Sequence, residues 1–255
     1  MRRDWDDRAR KDAFFYIASW KEHWDEDLFF RSGEEDYLRL ADAVFQRLNF
    51  EPAGKSMLEL GCGAGRMTRS FAQRFERVVA CDVSPEMLER ARTLNAGLPG
   101  VTWFLANGED LSEIASGSAD FVFSYLVLQH LPAERLVHDY IAEMMRVLTA
   151  GGLCLFQFNS SNRYNMNWKG RLAWGFVDML WTLRLHGASK SLASGLGLDP
   201  QMGGKSWHGA SIPADRIYAT VRHNSGVVLE KTGEHTPMAW CCAKKLAGGE
   251  EKITT

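Results

Sequence analysis

Gly61, Gly63 and Gly65 stand at alternate positions in LELGCGAGR (58–66), directly after the apolar run SMLEL (56–60). Glycines at this spacing let a backbone bend tightly and let a ligand touch it with no Cβ in the way. Between a strand and a helix, such a turn is the context that nucleotide binding needs. The spacing is GxGxG, distinct from the GxGxxG of dinucleotide folds and from the GxxxxGK[ST] of phosphate-binding loops. Asp82, closing the run RVVACD (77–82), follows Gly61 by 21 residues and suits a carboxylate that accepts hydrogen bonds from both hydroxyls of a ribose. No metal pattern accompanies it. The histidines show neither HxxxH nor carboxylate spacing, and Cys62, Cys81, Cys154, Cys241 and Cys242 contain no CxxC. The cysteines are expected to be reduced and mostly buried, and no bound metal is expected.

The elements that must position these groups can be read from periodicity. Five short apolar runs, at 56–60, 77–82, 101–105 (VTWFL), 119–125 (ADFVFSY) and 151–158 (GGLCLFQF), alternate with helix-period segments at 67–75, 84–94 and 132–148. Buried strands alternating with helices make a parallel, doubly wound sheet with right-handed crossovers. Ser84 and Pro85 read as an N-cap and a first-turn proline. Residues 1–50 read as helical, and RSGEED (31–36) is expected to break that run with Ser32 capping a second helix. After Phe158 the alternation stops: residues 159–210 hold a candidate helix near 167–186 and then a Gly- and Ser-rich loop. The segment 213–224 reads as a helix, and GVVLEKT (226–232) and PMAWCCAKK (237–245) as an antiparallel hairpin turning around Gly233.

Composition narrows the function classes. A chain of 255 residues fits one α/β domain with additions. Thirty Lys and Arg against 32 Asp and Glu give a formal net charge of −2, which excludes a whole-surface basic field for nucleic acid. The N-terminus MRRDWDDRARKD lacks the apolar run of a signal peptide, and the apolar stretch 172–185 is too short for a bilayer and carries Asp178 and Arg184. A cytoplasmic location with no membrane partner is therefore expected. Five of the nine tryptophans follow residue 160.

The glycine turn, together with VVACDVSPEMLERAR (78–92), ANGEDL (106–111), ADFVFSYLVLQHL (119–131) and EMMRVLTAGGLCLFQF (143–158), resembles the class I S-adenosylmethionine-dependent methyltransferase family in order and spacing. The resemblance implies an α/β fold: a doubly wound, seven-stranded, mostly parallel sheet of order 3-2-1-4-5-7-6 with strand 7 antiparallel. It divides the single domain into an N-terminal helical cap (1–50), a cofactor-binding core (51–158), a helical substrate-shaping insert after strand 5 (159–210), a closing helix and hairpin (211–245) and a tail (246–255). The implied cofactor is S-adenosyl-L-methionine. Gly61, Cys62, Gly63 and Gly65 would line its methionine end, with Glu59 near the amino group and Arg66 near the carboxylate. Asp82 would hold the ribose, and Val83 and Met87 would flank the adenine, Met87 reading equally as a core residue. Asn107 stands where the family often has an Asp contacting the adenine amino group, and Gly108 and Glu109 would add backbone contacts. Ser32 and Gly33 would belong to a lid over the carboxylate.

Methyl transfer from a sulfonium needs alignment and exclusion of water more than acid–base work. In this family the segment after strand 4 passes the methyl group; here its polar groups are Tyr125, Gln129 and His130. His130 is the candidate base, with a structural hydrogen bond as the plainer alternative. His208 is a second candidate, on a segment expected to return over the carboxyl edge of the sheet. The resemblance points to a small-molecule acceptor, apolar or aromatic, for a monomer or homodimer that binds no nucleic acid. The alternatives are a nucleic-acid or protein methyltransferase and a cofactor-binding protein without transfer. Against the former, SYLV stands where amino methyltransferases of nucleic acids carry [DNS]PP[YFW], and a double-Glu loop is missing.

Overall fold

The computed structural model describes residues 1–21, 23–161 and 209–247, with scattered residues between 173 and 192. Seven strands form one sheet: β1 (Ser56–Leu60), β2 (Arg77–Asp82), β3 (Val101–Leu105), β4 (Ala119–Ser124), β5 (Leu148–Phe158), β6 (Gly226–Thr232) and β7 (Ala239–Lys245). Their order is β3-β2-β1-β4-β5-β7-β6, and β7 runs antiparallel to both neighbours, as the motifs imply. The order reverses between β1 and β4, and in open α/β sheets the crevice outside the strands' carboxyl ends at that point is where ligands bind.

Helices α1 (Arg2–Ile17), α2 (Glu26–Asp36) and α3 (Ala43–Leu48) precede the sheet; α4 (Thr68–Ala72), α5 (Pro85–Leu94), α6 (Glu134–Val147) and α7 (Ala214–His223) connect its strands. Alternation along each strand divides the core in two. Leu58, Val122, Cys154 and Phe156 pack with Val137, Ile141 and Met144 of α6 and Ile217 and Val221 of α7. Met57, Phe121, Phe123, Leu153 and Leu155 face the other way, against Tyr37, Phe45, Phe71 and Phe75. The adjacent Cys241 and Cys242 fall on opposite faces of β7 for the same reason. All five cysteines are free and buried.

Ser84 and Pro85 start α5 as expected: the Ser84 hydroxyl accepts the Met87 N–H at 3.1 Å. Residues 31–36 do not break the N-terminal run. The interruption comes earlier, and Asp25 caps α2 by accepting the Leu28 N–H at 2.7 Å. Ser32 lies inside α2, its hydroxyl donating back to the Phe29 carbonyl at 2.7 Å. From there α2 continues through a π-helical turn, Tyr37–Asp42, into α3. The reason is packing: Gly33 passes against the Arg66 carbonyl so closely that a Cβ would lie 2.1 Å from it, so glycine is needed for contact, not for a break.

Candidate functional site

The glycine turn leaves β1 with Gly61, Gly63 and Gly65 at φ +76°, +55° and +81°, a region that side chains rarely adopt. Each also admits a neighbour. A Cβ on Gly61 would lie 2.2 Å from Val127 Cγ2, one on Gly63 would lie 2.9 Å from Ile17 Cδ1, and one on Gly65 would lie 2.5 Å from Asn95 Nδ2. The turn thus joins α1, α5 and the segment after β4 at the switch point.

A cavity of about 1130 Å³, counting the space out to its mouth, opens there. Its wall includes Glu59, Gly61, Cys62, Gly63, Arg66, Asp82, Val83 and Met87 on one side and Tyr125, Val127 and His130 on the other. Most of the residues expected from sequence therefore meet in one place. Asp82 accepts the Gly63 N–H on one carboxylate oxygen and the Ser84 N–H on the other, each at 2.9 Å. Each oxygen keeps a lone pair for a hydroxyl. Burial raises the Asp82 pKa, and these backbone donors counter it. Glu59 is buried, 2.5 Å from the Thr68 hydroxyl, and burial pushes its carboxyl up to about 7. A buried acid held this way is complementary to an ammonium group, which would restore its charged form. The cavity and its donor set therefore fit a nucleoside joined to an amino acid.

Five expected residues stand differently. Asn107 accepts the N–H groups of Glu109 and Asp110 at 2.7 and 2.9 Å, so its carbonyl serves a local turn. Asn107, Gly108 and Glu109 lie outside the cavity lining, where Ala106 represents that loop. Arg66 lines the cavity, but its guanidinium reaches Asp36 at 2.7 Å and Ser32 at 3.2 Å. Ser32 and Gly33 thus pin α2 to the turn. Gly65 is packed against Asn95 and Trp103 and is absent from the lining.

The part of the wall that follows β4 is formed by Tyr125, just past the strand, and His130, at the end of a 3₁₀ turn over Leu128–His130. Burial raises the Tyr125 pKa, and its ring packs 5.2 Å from that of Trp240. Burial, with the nearby Arg8 charge, depresses the His130 pKa to about 4. His208 lies outside the described residues, as do Trp168, Trp174, Trp181 and Trp207 and most of the insert helix. The following residues do return over this edge: a Cβ on Gly209 would lie 2.1 Å from the Gln129 carbonyl, and the Ala210 N–H donates to Leu131 at 2.8 Å.

Sequence reasoning made residues 1–50 a cap but named none of its residues in this wall. Met1, Trp5, Tyr16 and Ile17 of the first helix region line the cavity. Arg2 donates to the carbonyls of Val83 and Ala106, both at 3.0 Å, and the Ser84 hydroxyl bonds Asp6 at 2.5 Å. The alternating charges of MRRDWDDRAR gave no sign of a docked face. Among the described residues no group of His, Cys, Asp and Glu could hold a metal ion, and no helix is long and apolar enough to cross a membrane.

Residues 58–156 match the family model described as a methyltransferase domain. A ubiquinone biosynthesis O-methyltransferase of Xanthomonas axonopodis pv. citri is 37% identical over 98 residues, which is 38% of this chain and 41% of that protein. The chain thus matches less than half the length of that curated relative. Among solved structures, magnesium protoporphyrin IX methyltransferase of Synechocystis PCC 6803 with bound S-adenosylhomocysteine superposes with a TM-score of 0.59 at 16% identity, covering 95% of this chain and 97% of that one. Phosphoethanolamine N-methyltransferase 1 of Haemonchus contortus also gives 0.59, at 14% identity, over 99% of this chain and 50% of that one. Glycine turn, strand order and matched segment agree: residues 58–156 are similar to a methyltransferase domain, and the chain has the seven-stranded fold of these solved methyltransferases.

Proposed function

We propose that this protein is an enzyme that moves a methyl group from S-adenosyl-L-methionine to O, N or C of a small metabolite, apolar or aromatic in character. The observation that carries the reading is one cavity in which the glycine turn, Glu59 and Asp82 face Tyr125 and His130. When bound, the cofactor supplies a methyl group on a sulfonium, whose leaving group needs no protonation. Glu59 would hold the amino group, Asp82 the ribose hydroxyls, and Val83 and Met87 the adenine. Cys62 and the backbone of Gly61 and Gly63 would border the methionine end, and Arg66 its carboxylate while keeping α2 in place. Asn107, Gly108 and Glu109 would shape the loop behind Ala106. Tyr125 and His130 would align the acceptor for in-line displacement, and Trp5, Tyr16 and Ile17 would keep water out. His208 and the insert 159–210 would serve the acceptor side, a reading supported by Gly209, which lies against the Gln129 carbonyl. The near-neutral net charge favours a small acceptor over a polyanion. The similar proteins, concerned with ubiquinone biosynthesis, magnesium protoporphyrin IX and phosphoethanolamine, support a small-molecule acceptor.

Incubation with methyl-labelled cofactor and separate metabolite, RNA and protein fractions tests this reading. Label in small molecules supports it; label only in macromolecules sinks it in favour of a nucleic-acid or protein methyltransferase. Tight cofactor binding by calorimetry with no transfer to any fraction would instead mark a binding protein. A monomer or homodimer of cytoplasmic location completes the proposal.

A further inference from the structure

Gln157, fully buried at the end of β5, bonds to groups whose polarity is fixed. The Leu126 N–H donates to its Oε1 at 3.2 Å, and its Nε2 donates to the Pro237 carbonyl at 2.6 Å. A backbone N–H only gives and a proline carbonyl only accepts, so these two contacts determine which end of the amide is which. Leu126 is a non-glycine residue at φ +59°, so the same side chain also steadies a backbone conformation that costs energy. The second hydrogen of Gln157 Nε2 goes to Gln129 Oε1 at 3.0 Å. Gln129 is thereby oriented with its Nε2 3.2 Å from Nε2 of His130. An amide NH₂ has no lone pair to offer, so this contact is a hydrogen bond only when His130 Nε2 accepts, which leaves the ring proton on Nδ1.

We propose that Gln157 and Gln129 are positioning residues that hold His130 as the neutral Nδ1–H tautomer, its basic nitrogen already engaged, so that His130 meets the acceptor as a neutral polar wall and not as a general base. The tautomer follows from the hydrogen bonds alone; the role toward an acceptor rests on the proposed methyl transfer. Burial and the Arg8 charge, which disfavour an imidazolium here, act in the same direction. The acceptor then either attacks without losing a proton first or loses it to another group.

Long-range proton–nitrogen NMR of the ¹⁵N-labelled full chain tests the assignment, with His130→Gln identifying the His130 signals among those of seven histidines. The expected wild-type pattern is a protonated Nδ1 and an unprotonated Nε2. Gln129→Glu keeps an acceptor for Gln157 but offers His130 a carboxylate. It should move the proton to Nε2 and raise the His130 titration midpoint by about 1 unit or more. Gln129→Leu, which removes the donor, should yield a mixture of tautomers. A wild-type ring protonated at Nε2, or a tautomer indifferent to Gln129→Glu, would overturn the relay, and the wild-type spectrum decides even where a variant fails to fold. Calorimetry showing no cofactor binding would overturn the role toward the acceptor together with the proposed function, while the tautomer result would stand.

Discussion

Arg66, directly after the last glycine of the turn, places its Nη2 2.7 Å from the Asp36 carboxylate at the end of α2, and the Arg66 side chain is 4% exposed. The pair ties the glycine-turn side of the cavity to the helix that precedes the sheet. Asp36 also holds Arg39 at 2.6 Å, and the Trp20 ring lies 5.2 Å from the Arg66 guanidinium. Removing one member leaves the other charge buried and uncompensated, which is more damaging than losing an exposed pair. Asp36→Asn should lower unfolding stability by about 3 kcal/mol in a urea titration. Arg39→Ala, at the exposed end of the same cluster, should cost less than about 1 kcal/mol. Equal effects would show that the pair does not hold α2.

Gly61→Ala tests the turn itself. The new Cβ would meet Val127 Cγ2 at 2.2 Å, in a backbone conformation at φ +76° that alone costs about 1–2 kcal/mol. The expected outcome is a loss of about 2 kcal/mol or more in stability and a cofactor Kd weakened at least tenfold. Gly97→Ala, also at positive φ but with nothing within 4 Å, separates backbone strain from collision. Its cost should stay near the conformational figure, with the Kd unchanged. A Gly97 variant as damaging to binding as the Gly61 variant would refute the argument.

The sheet was legible because its signals are local. Each strand is a short apolar run, and the pairs Leu58/Met57 and Cys241/Cys242 were bound to separate onto two faces once a period of two held. That Glu59, Gly61, Asp82 and His130 would meet around one cavity was legible because strand ends at the switch point converge whatever the side chains do. What failed was non-local. RSGEED looks like a helix break until Gly33 is found against Arg66, 33 residues away in sequence. Asn107 looks like an adenine ligand until its carbonyl is found on the Glu109 and Asp110 N–H groups. Gln157 lies in an apolar strand run, and only its three partners, contributed by two segments distant in sequence, disclose its purpose.

The first helix should govern how long a cofactor stays. Arg2 bonds two carbonyls at the ends of β2 and β3, and Trp5 meets His130 edge-on at 5.5 Å across the cavity. Arg2→Ala forfeits hydrogen bonds of about 1 kcal/mol each, so cofactor dissociation followed by stopped-flow should quicken several-fold. Unfolding stability should fall by no more than the two bonds contribute, about 2 kcal/mol. An unchanged dissociation rate would mean that α1 does not retain the ligand.

Glu59 supplies the pH dependence. In the free protein burial holds its carboxyl at about 7, above the ordinary 4.5, so at neutral pH it is only partly ionised. A raised acid contributes stability that is complete below about 4.5 and is lost as pH rises through about 7, because the folded state then has to carry a buried charge. Binding has the opposite sign. An ammonium group beside Glu59 favours the carboxylate, so cofactor binding should release a proton and tighten as pH rises from 6 to 8. Calorimetry in buffers of different ionisation enthalpy measures that proton directly. Glu59→Gln should keep the Thr68 contact, weaken binding by about tenfold to a hundredfold through loss of a charge-assisted bond, and abolish both the proton release and the slope. Proton release that survives in Glu59→Gln would place the titrating group elsewhere in the cavity.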